Sequence, residues 1–140
     1  MTATYFLDTN ILVYATSLAA DHASRRDAAR TWVARNDWGI STQVLMELFA
    51  QARQSRHGLP PGSAHALVEK LATHRPVVAM DAELVMQSLS LAQQYLLSHW
   101  DAAILCAARK IGAHTVISED LAAGQDYGGV TVLNPFVGLA

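Results

Sequence analysis

An apolar trio, Tyr5, Phe6 and Leu7, gives way at Asp8, Thr9 and Asn10 to a second apolar run from Ile11 to Tyr14. That switch predicts a short buried strand turning at once into a helix over residues 11–16. Residues 21–36 place Ala28, Ala29, Trp32 and Val33 on one face with the arginines elsewhere, the pattern of an amphipathic helix. Gly39, Ile40 and Ser41 predict a brief strand, and Ser41 or Thr42 can cap a helix running to about residue 56. The glycine and proline cluster at 57–62 breaks the chain, and helix resumes over 63–74. A strand at 76–80 and a helix at 81–97 follow. Ser98 and Asp101 have capping-box spacing and open a helix that stops at Gly112. Strands at 115–117 and 130–133 flank a glycine-bearing loop, and Asn134 with Pro135 ends the last of them. Short strands alternating with helices predict an α/β fold with a largely parallel sheet.

Composition narrows this picture. The 140 residues suit one domain over 1–140, able to bury roughly 68–70% of its unfolded surface. With 51% hydrophobic residues and no apolar run near the ~20 needed to cross a bilayer, the chain reads as soluble, globular and without a membrane segment. No basic segment followed by an apolar stretch opens it, and Cys106 is its only cysteine, so a reducing cytoplasm is expected. A net charge of −2 means that a polyanion must be held locally. Arg25, Arg26 and Arg30 cluster on one predicted helix and are available for phosphate contact, although on a surface helix such groups also read as a solvated face.

The chemistry lies in the acids. Asp8 follows the first strand, Glu47 sits in the helix after the second, Asp101 opens a helix, and Asp120 stands just past a strand. Each has a plain local explanation. Asp8 or Asn10 can cap a helix, and Glu47 shares the polar side of its helix with Gln43, Gln51 and Gln54. Asp101 can complete a capping box, and Glu119 or Asp120 can be loop acids. Together, however, strand ends of a parallel sheet and the adjoining helix starts converge on one edge of a domain. Several carboxylates brought together repel unless a cation offsets them, and Mg²⁺ or Mn²⁺ suits an all-oxygen site. Such an ion can activate a water toward a phosphodiester.

With these positions assembled, the chain resembles the PIN-domain nucleases, and among them the VapC-type toxins of bacterial toxin-antitoxin pairs. The likeness is carried by Leu7-Asp8-Thr9-Asn10-Ile11, by Ser41-Thr42 leading to Glu47-Leu48, by Trp100-Asp101-Ala102-Ala103-Ile104, and by Ser118-Glu119-Asp120-Leu121. Asn134-Pro135-Phe136 is common in one branch of these toxins. The resemblance implies a three-layer fold with a five-stranded, mostly parallel sheet flanked by helices. It implies that Asp8, Glu47, Asp101 and Asp120 form an acidic quartet binding Mg²⁺ or Mn²⁺, with Thr9, Asn10 and Ser118 as the supporting shell. Asp120 is preferred to Glu119 because the family pattern is a small hydroxyl residue, any residue, then aspartate. The implied activity is endoribonuclease cleavage by a metal-activated water, and the implied partners are an RNA substrate, a cognate antitoxin and a second copy of the chain. The short length favours the toxin branch over PIN nucleases of RNA processing.

Other classes fit less well. A haloacid-dehalogenase hydrolase needs a second aspartate where Asn10 stands, and receiver domains need an acidic pair and a late lysine. His22, His57, His65, His74, His99 and His114 show no zinc spacing. A non-catalytic PIN-like scaffold, docking a protein or RNA in its acidic groove, is the alternative. Cys106 is expected in the core. So is Trp100, which could otherwise stack a base.

Overall fold

In the computed structural model, which describes residues 2–139, the first strand is β1 (Tyr5–Leu7), and Asp8 caps helix α1 (Thr9–Thr16) directly after it. A 3-10 turn at Ala20–His22 precedes α2 (Ala23–Val33), so the expected 21–36 helix is shorter at both ends. Strand β2 (Trp38–Ser41) runs into α3 (Thr42–Ala52), with Ser41 Oγ accepting from Val44 N–H at the cap. Helix α3 does not reach residue 56. Arg53 ends it, Gln54 turns extended, and Ser55–His57 forms a separate 3-10 turn.

The rest of the chain runs as α4 (Ser63–His74), β3 (Val77–Val78), α5 (Ala82–Tyr95), α6 (His99–Ile111), β4 (Thr115–Ile117) and β5 (Thr131–Leu133). Leu96 ends α5 in the left-handed region at φ 56°, where glycine or asparagine is usual. Gly112 ends α6 at φ 87°, as its sequence position implies. No helix among the described residues is long and apolar enough to cross a membrane.

The five strands form one sheet in the order β3-β2-β1-β4-β5, and every neighbouring pair is parallel. Chain order runs outward from β1 through β2 to β3, then jumps back to β4 on the other side of β1. The reversal between β1 and β4 opens a crevice at their carboxyl ends, where ligands of doubly wound sheets bind. Asp8 leaves β1 and Ser118 leaves β4 at this point, and Asp8 N–H donates to Ile117 C=O at 3.0 Å.

Apolar burial holds the crevice rigid from beneath. Phe6, Leu7, Ile40, Val116 and Ile117 fill the sheet's interior, met by Ile11, Val44 and Leu48 of the helices. Helix α6 is buried nearly all round from Ala102 to Ala108, where small side chains let it lie close to α5 and the sheet. Cys106 is within this core, as expected. Trp100 is not. At the exposed start of α6 it is 60% accessible, because the helix enters the core only one residue after Asp101.

Candidate active site

The site is built around the Asp8 carboxylate, which is 6% exposed and held at both oxygens. Its Oδ1 accepts from Thr9 N–H at 2.7 Å, the first unpaired amide of α1. Its Oδ2 accepts from the Ser118 hydroxyl at 2.7 Å and from the Asn10 amide at 3.3 Å. The same Asn10 nitrogen stands 3.1 Å from Asp120 Oδ2 and 3.3 Å from Ser118 Oγ. Asn10 therefore stitches the start of α1 to the loop after β4, and its carbonyl oxygen accepts from Glu119 N–H. Ser118 Oγ in turn accepts from Asp120 N–H at 3.1 Å. The capping role foreseen for Asp8 is real, and it coexists with a carboxylate facing a cleft.

Glu47 comes from the opposite wall. Thr9 Oγ1 and Gln43 Nε2 each donate to its Oε1 at 3.2 Å, so it is half-buried rather than a solvated member of a polar helix face. Gln43 also donates to the Trp100 carbonyl, joining α3 to the start of α6. There Asp101 N–H donates to Ser98 Oγ, which caps the helix while the Asp101 side chain lines the cleft. Asp8, Glu47, Asp101, Glu119 and Asp120 thus share the wall of one open cleft of about 440 Å³, together with Thr9 and Asn10.

Electrostatics set this carboxylate apart. Burial pushes the Asp8 pKa up to about 6, against the opposing pull of the Ser118 and Thr9 hydrogen bonds, and the charges of Asp120 and Glu47 raise it further. Burial also raises Asp101, with the Asp120 charge adding to it. Among the described residues no lysine or arginine forms an ion pair with Asp8, Glu47, Asp101 or Asp120. The donor set is all oxygen and over-supplied with negative charge, which fits a hard divalent cation. The acids do not form a finished cage, however. Among the described residues no group of three or more His, Cys, Asp or Glu is arranged to hold a metal ion, because the Asn10 amide and the Thr9 and Ser118 hydroxyls stand between the carboxylates. An ion held directly by one or two acids and otherwise by water is the form that suits this spacing.

None of the three α2 arginines lines the cleft. Arg26 donates to the carbonyls of Ser17 and Ala19, and Arg30 to that of Ala15, which fastens α2 to the end of α1. Arg25 pairs with Glu119 at 3.6 Å and lies over the Tyr14 and Phe136 rings. The cleft wall instead carries two histidines and a different arginine. His22, Arg56 and His57 line it, and His57 is buried although it falls in the loop-like stretch at 57–62. Its partner Ser17 lies 40 residues away, so no local signal marks it.

A comparison with curated proteins gives no sequence match. Among solved structures, the chain is similar to a DNA-bound VapBC from Salmonella typhimurium (TM-score 0.68, 20% identity, 96% of this chain and 99% of that one). It is also similar to a toxin-antitoxin complex from Klebsiella pneumoniae (TM-score 0.64, 23% identity, 94% and 97%). A third is VapC20 of Mycobacterium tuberculosis, described as a sarcin-ricin loop cleaving toxin (TM-score 0.63, 21% identity, 83% and 91%). At such identities the likeness establishes the fold. The family rests on the sequence itself, for the PIN domain model matches residues 5–123, and the chain belongs to the PIN domain family.

Proposed function

We propose that this chain is a metal-dependent endoribonuclease, the toxin of a type II VapBC-like pair, and that it works in the cytoplasm. The observation that carries this reading is the Asp8 carboxylate. It is buried at the sheet's reversal point, oriented at both oxygens, and faced across one cleft by Glu47, Asp101 and Asp120. Burying a carboxylate among other acids is costly, and a fold keeps such an arrangement where a cation or a reaction offsets it. Asp8, with one or two of the other three, would hold Mg²⁺ or Mn²⁺. When bound, such an ion supplies Lewis acidity toward a phosphoryl oxygen and lowers the pKa of water.

The chain's own residues orient and hold. Thr9 N–H and Ser118 O–H fix the two Asp8 oxygens, Asn10 sets Asp120 beside them, and Thr9 Oγ1 with Gln43 steadies Glu47. Preorganisation of this kind removes reorganisation from the reaction step. The purified chain is expected to cut single-stranded or hairpin RNA internally with Mg²⁺ or Mn²⁺, and to stop when the ion is chelated. Glu47→Gln and Asp101→Asn should each lower the rate by about 10-fold to 1,000-fold. Intact RNA after incubation with either ion would reject the nuclease and leave the docking scaffold.

Two partners accompany this reading. The excess of carboxylates in the cleft suits an arginine-bearing tail, the means by which an antitoxin would silence it. A second concave face of about 590 Å³, lined by Met46, Ala50, Met80, Val85, Leu89 and Trp100, is largely apolar. Met46 is 74% exposed there and Trp100 60%, so two large apolar side chains stand in water on this face. A second copy of the chain would cover it. Light scattering is expected to give a dimer, and Met46→Glu a monomer. A chain that is monomeric at all concentrations removes the second copy from the proposal.

A further inference from the structure

The carboxylates occupy one end of the cleft only. Asp8 is the N-cap of α1 and Ser17 its C-cap, so the length of an eight-residue helix, roughly 12 Å, lies between them. Gln43, Glu47 and Gln51, four residues apart on α3, line the wall that joins the two ends. At the Ser17 end the wall is formed by His22, Arg56 and His57, with the exposed Asp21 beside them.

This end is organised by a directional chain of hydrogen bonds. Arg56 Nε–H donates to His57 Nε2 at 3.3 Å, so that ring nitrogen carries no proton and the imidazole is neutral. Burial lowers the His57 pKa, and the Arg56 charge acts in the same direction. The His57 proton is then on Nδ1, 2.9 Å from Ser17 Oγ, which accepts it. Ser17 Oγ also accepts from Ala19 N–H, so its own proton goes to His22 Nδ1 at 3.0 Å. The proton of the His22 ring is left on Nε2, on the side away from Ser17. The His22 ring is held edge-on against Tyr14, with centroids 5.0 Å apart.

Arg56, an exposed residue, is thereby tethered through Nε, which leaves its two terminal nitrogens outside this bond. Among the described residues no carboxylate pairs with it. Nor is it needed to satisfy the end of α1, because Arg26 already covers the Ser17 and Ala19 carbonyls. Among the described residues it is also the one lysine or arginine lining the cleft. Arg25 stands beside the cleft but is already paired with Glu119, so among the described residues Arg56 is the cation on the cleft wall left to meet a polyanion in a chain of net charge −2.

We propose that Arg56, with the His22 ring at the same end of the cleft, is a phosphate subsite that grips the backbone of single-stranded RNA away from the carboxylate end and sets which linkage reaches Asp8. The proposal rests on the nuclease reading. A guanidinium fork anchored at Nε matches the paired oxygens of a phosphodiester and reads no base, so the subsite fixes register rather than sequence.

The test uses the full chain carrying Asp8→Asn, so that RNA stays intact, and a fluorescein-labelled single-stranded oligoribonucleotide of mixed sequence. Anisotropy is read across a salt series. Adding Arg56→Gln is expected to weaken binding about tenfold and to flatten the slope of log K against log salt by about 0.7, the loss of one single-strand phosphate contact. Arg56→Lys should keep the slope and lose part of the affinity, because the charge remains without the fork. Arg53→Gln, on an exposed arginine that lies over Phe49 and not on the cleft wall, should change neither. Strong binding that ignores Arg56→Gln overturns the subsite and leaves the nuclease reading standing. A parent chain that binds no RNA overturns both.

Discussion

Asp8→Asn is expected to abolish RNA cleavage and at the same time raise the melting temperature of the metal-free chain at pH 7.5. The loss should be at least about 100-fold, because the substitution removes the charge at the centre of the site while keeping its shape. The gain follows from linkage. Asp8 titrates at about 6 in the fold against an ordinary value of 3.8, so between those values the folded chain binds more protons than the unfolded one, and stability falls as pH rises. Above pH 6 the whole penalty is present, at most about 3 kcal/mol for a shift of this size. An amide carries no such penalty. It does meet the Asn10 amide less favourably than a carboxylate does, so the net gain should be about 1–3 kcal/mol, or roughly 3–9 °C. Thermal melts at pH 7.5 and pH 4.5 check the sign, because the difference should shrink in acid, where the native Asp8 is protonated. Mn²⁺ should raise the melt of the native chain and leave Asp8→Asn unmoved. An Asp8→Asn chain that melts lower than the native one at pH 7.5 would show that this carboxylate is a structural cap and not a strained functional group.

The parts of this molecule that could be read in advance are those whose cause is local. The trio Tyr5–Leu7 followed by Asp8 announces strand, junction and helix within four residues, and Ser98 with Asp101 announces a cap by spacing alone. The convergence of Asp8, Glu47, Asp101 and Asp120 on one cleft was legible because a parallel sheet delivers strand ends to a common edge. Periodicity failed where a side chain's fate is decided across the fold. Glu47 looks solvated on its own helix, yet Thr9, 38 residues away, reaches it. His57 sits in a glycine and proline stretch and is buried against Ser17. The α2 arginines read as a solvated face or as phosphate contacts, and no local signal shows what the fold adds, the hydrogen bonds from Arg26 and Arg30 to carbonyls at the end of α1. Leu96 ends α5 without the glycine that would have marked the stop.

Gly39 illustrates the same limit in the opposite sense, and filling it should destabilise the chain. Strand propensity alone predicts that Gly39→Ala or Gly39→Val helps, since glycine weakens a strand by roughly 0.5–1 kcal/mol. Space decides otherwise. A Cβ at Gly39 would lie 2.5 Å from Ile111 Cδ1 and 3.0 Å from the Pro76 carbonyl oxygen. That carbonyl cannot withdraw freely, because it accepts from Ile40 N–H at 3.0 Å. Ile111 is 1% exposed at the end of α6, so its methyl can give way only by moving within the core. Overpacking of this kind costs about 1–3 kcal/mol, which outweighs the propensity gain, and the bulkier valine should cost more than alanine. Gly39→Ala is therefore expected to lower the melting temperature by about 3–9 °C. Ile111→Val, which removes the clashing methyl at a cost of about 0.5–1.5 kcal/mol on its own, should recover part of the loss when combined with Gly39→Ala. Additive losses in the double variant would place the strain at the Pro76 carbonyl instead. The effect should reach the cleft as well: β2 runs straight into the Ser41 cap of α3, so a displaced β2 carries Glu47 with it. RNA cleavage by Gly39→Ala should then fall below that of the native chain even at temperatures where both remain folded.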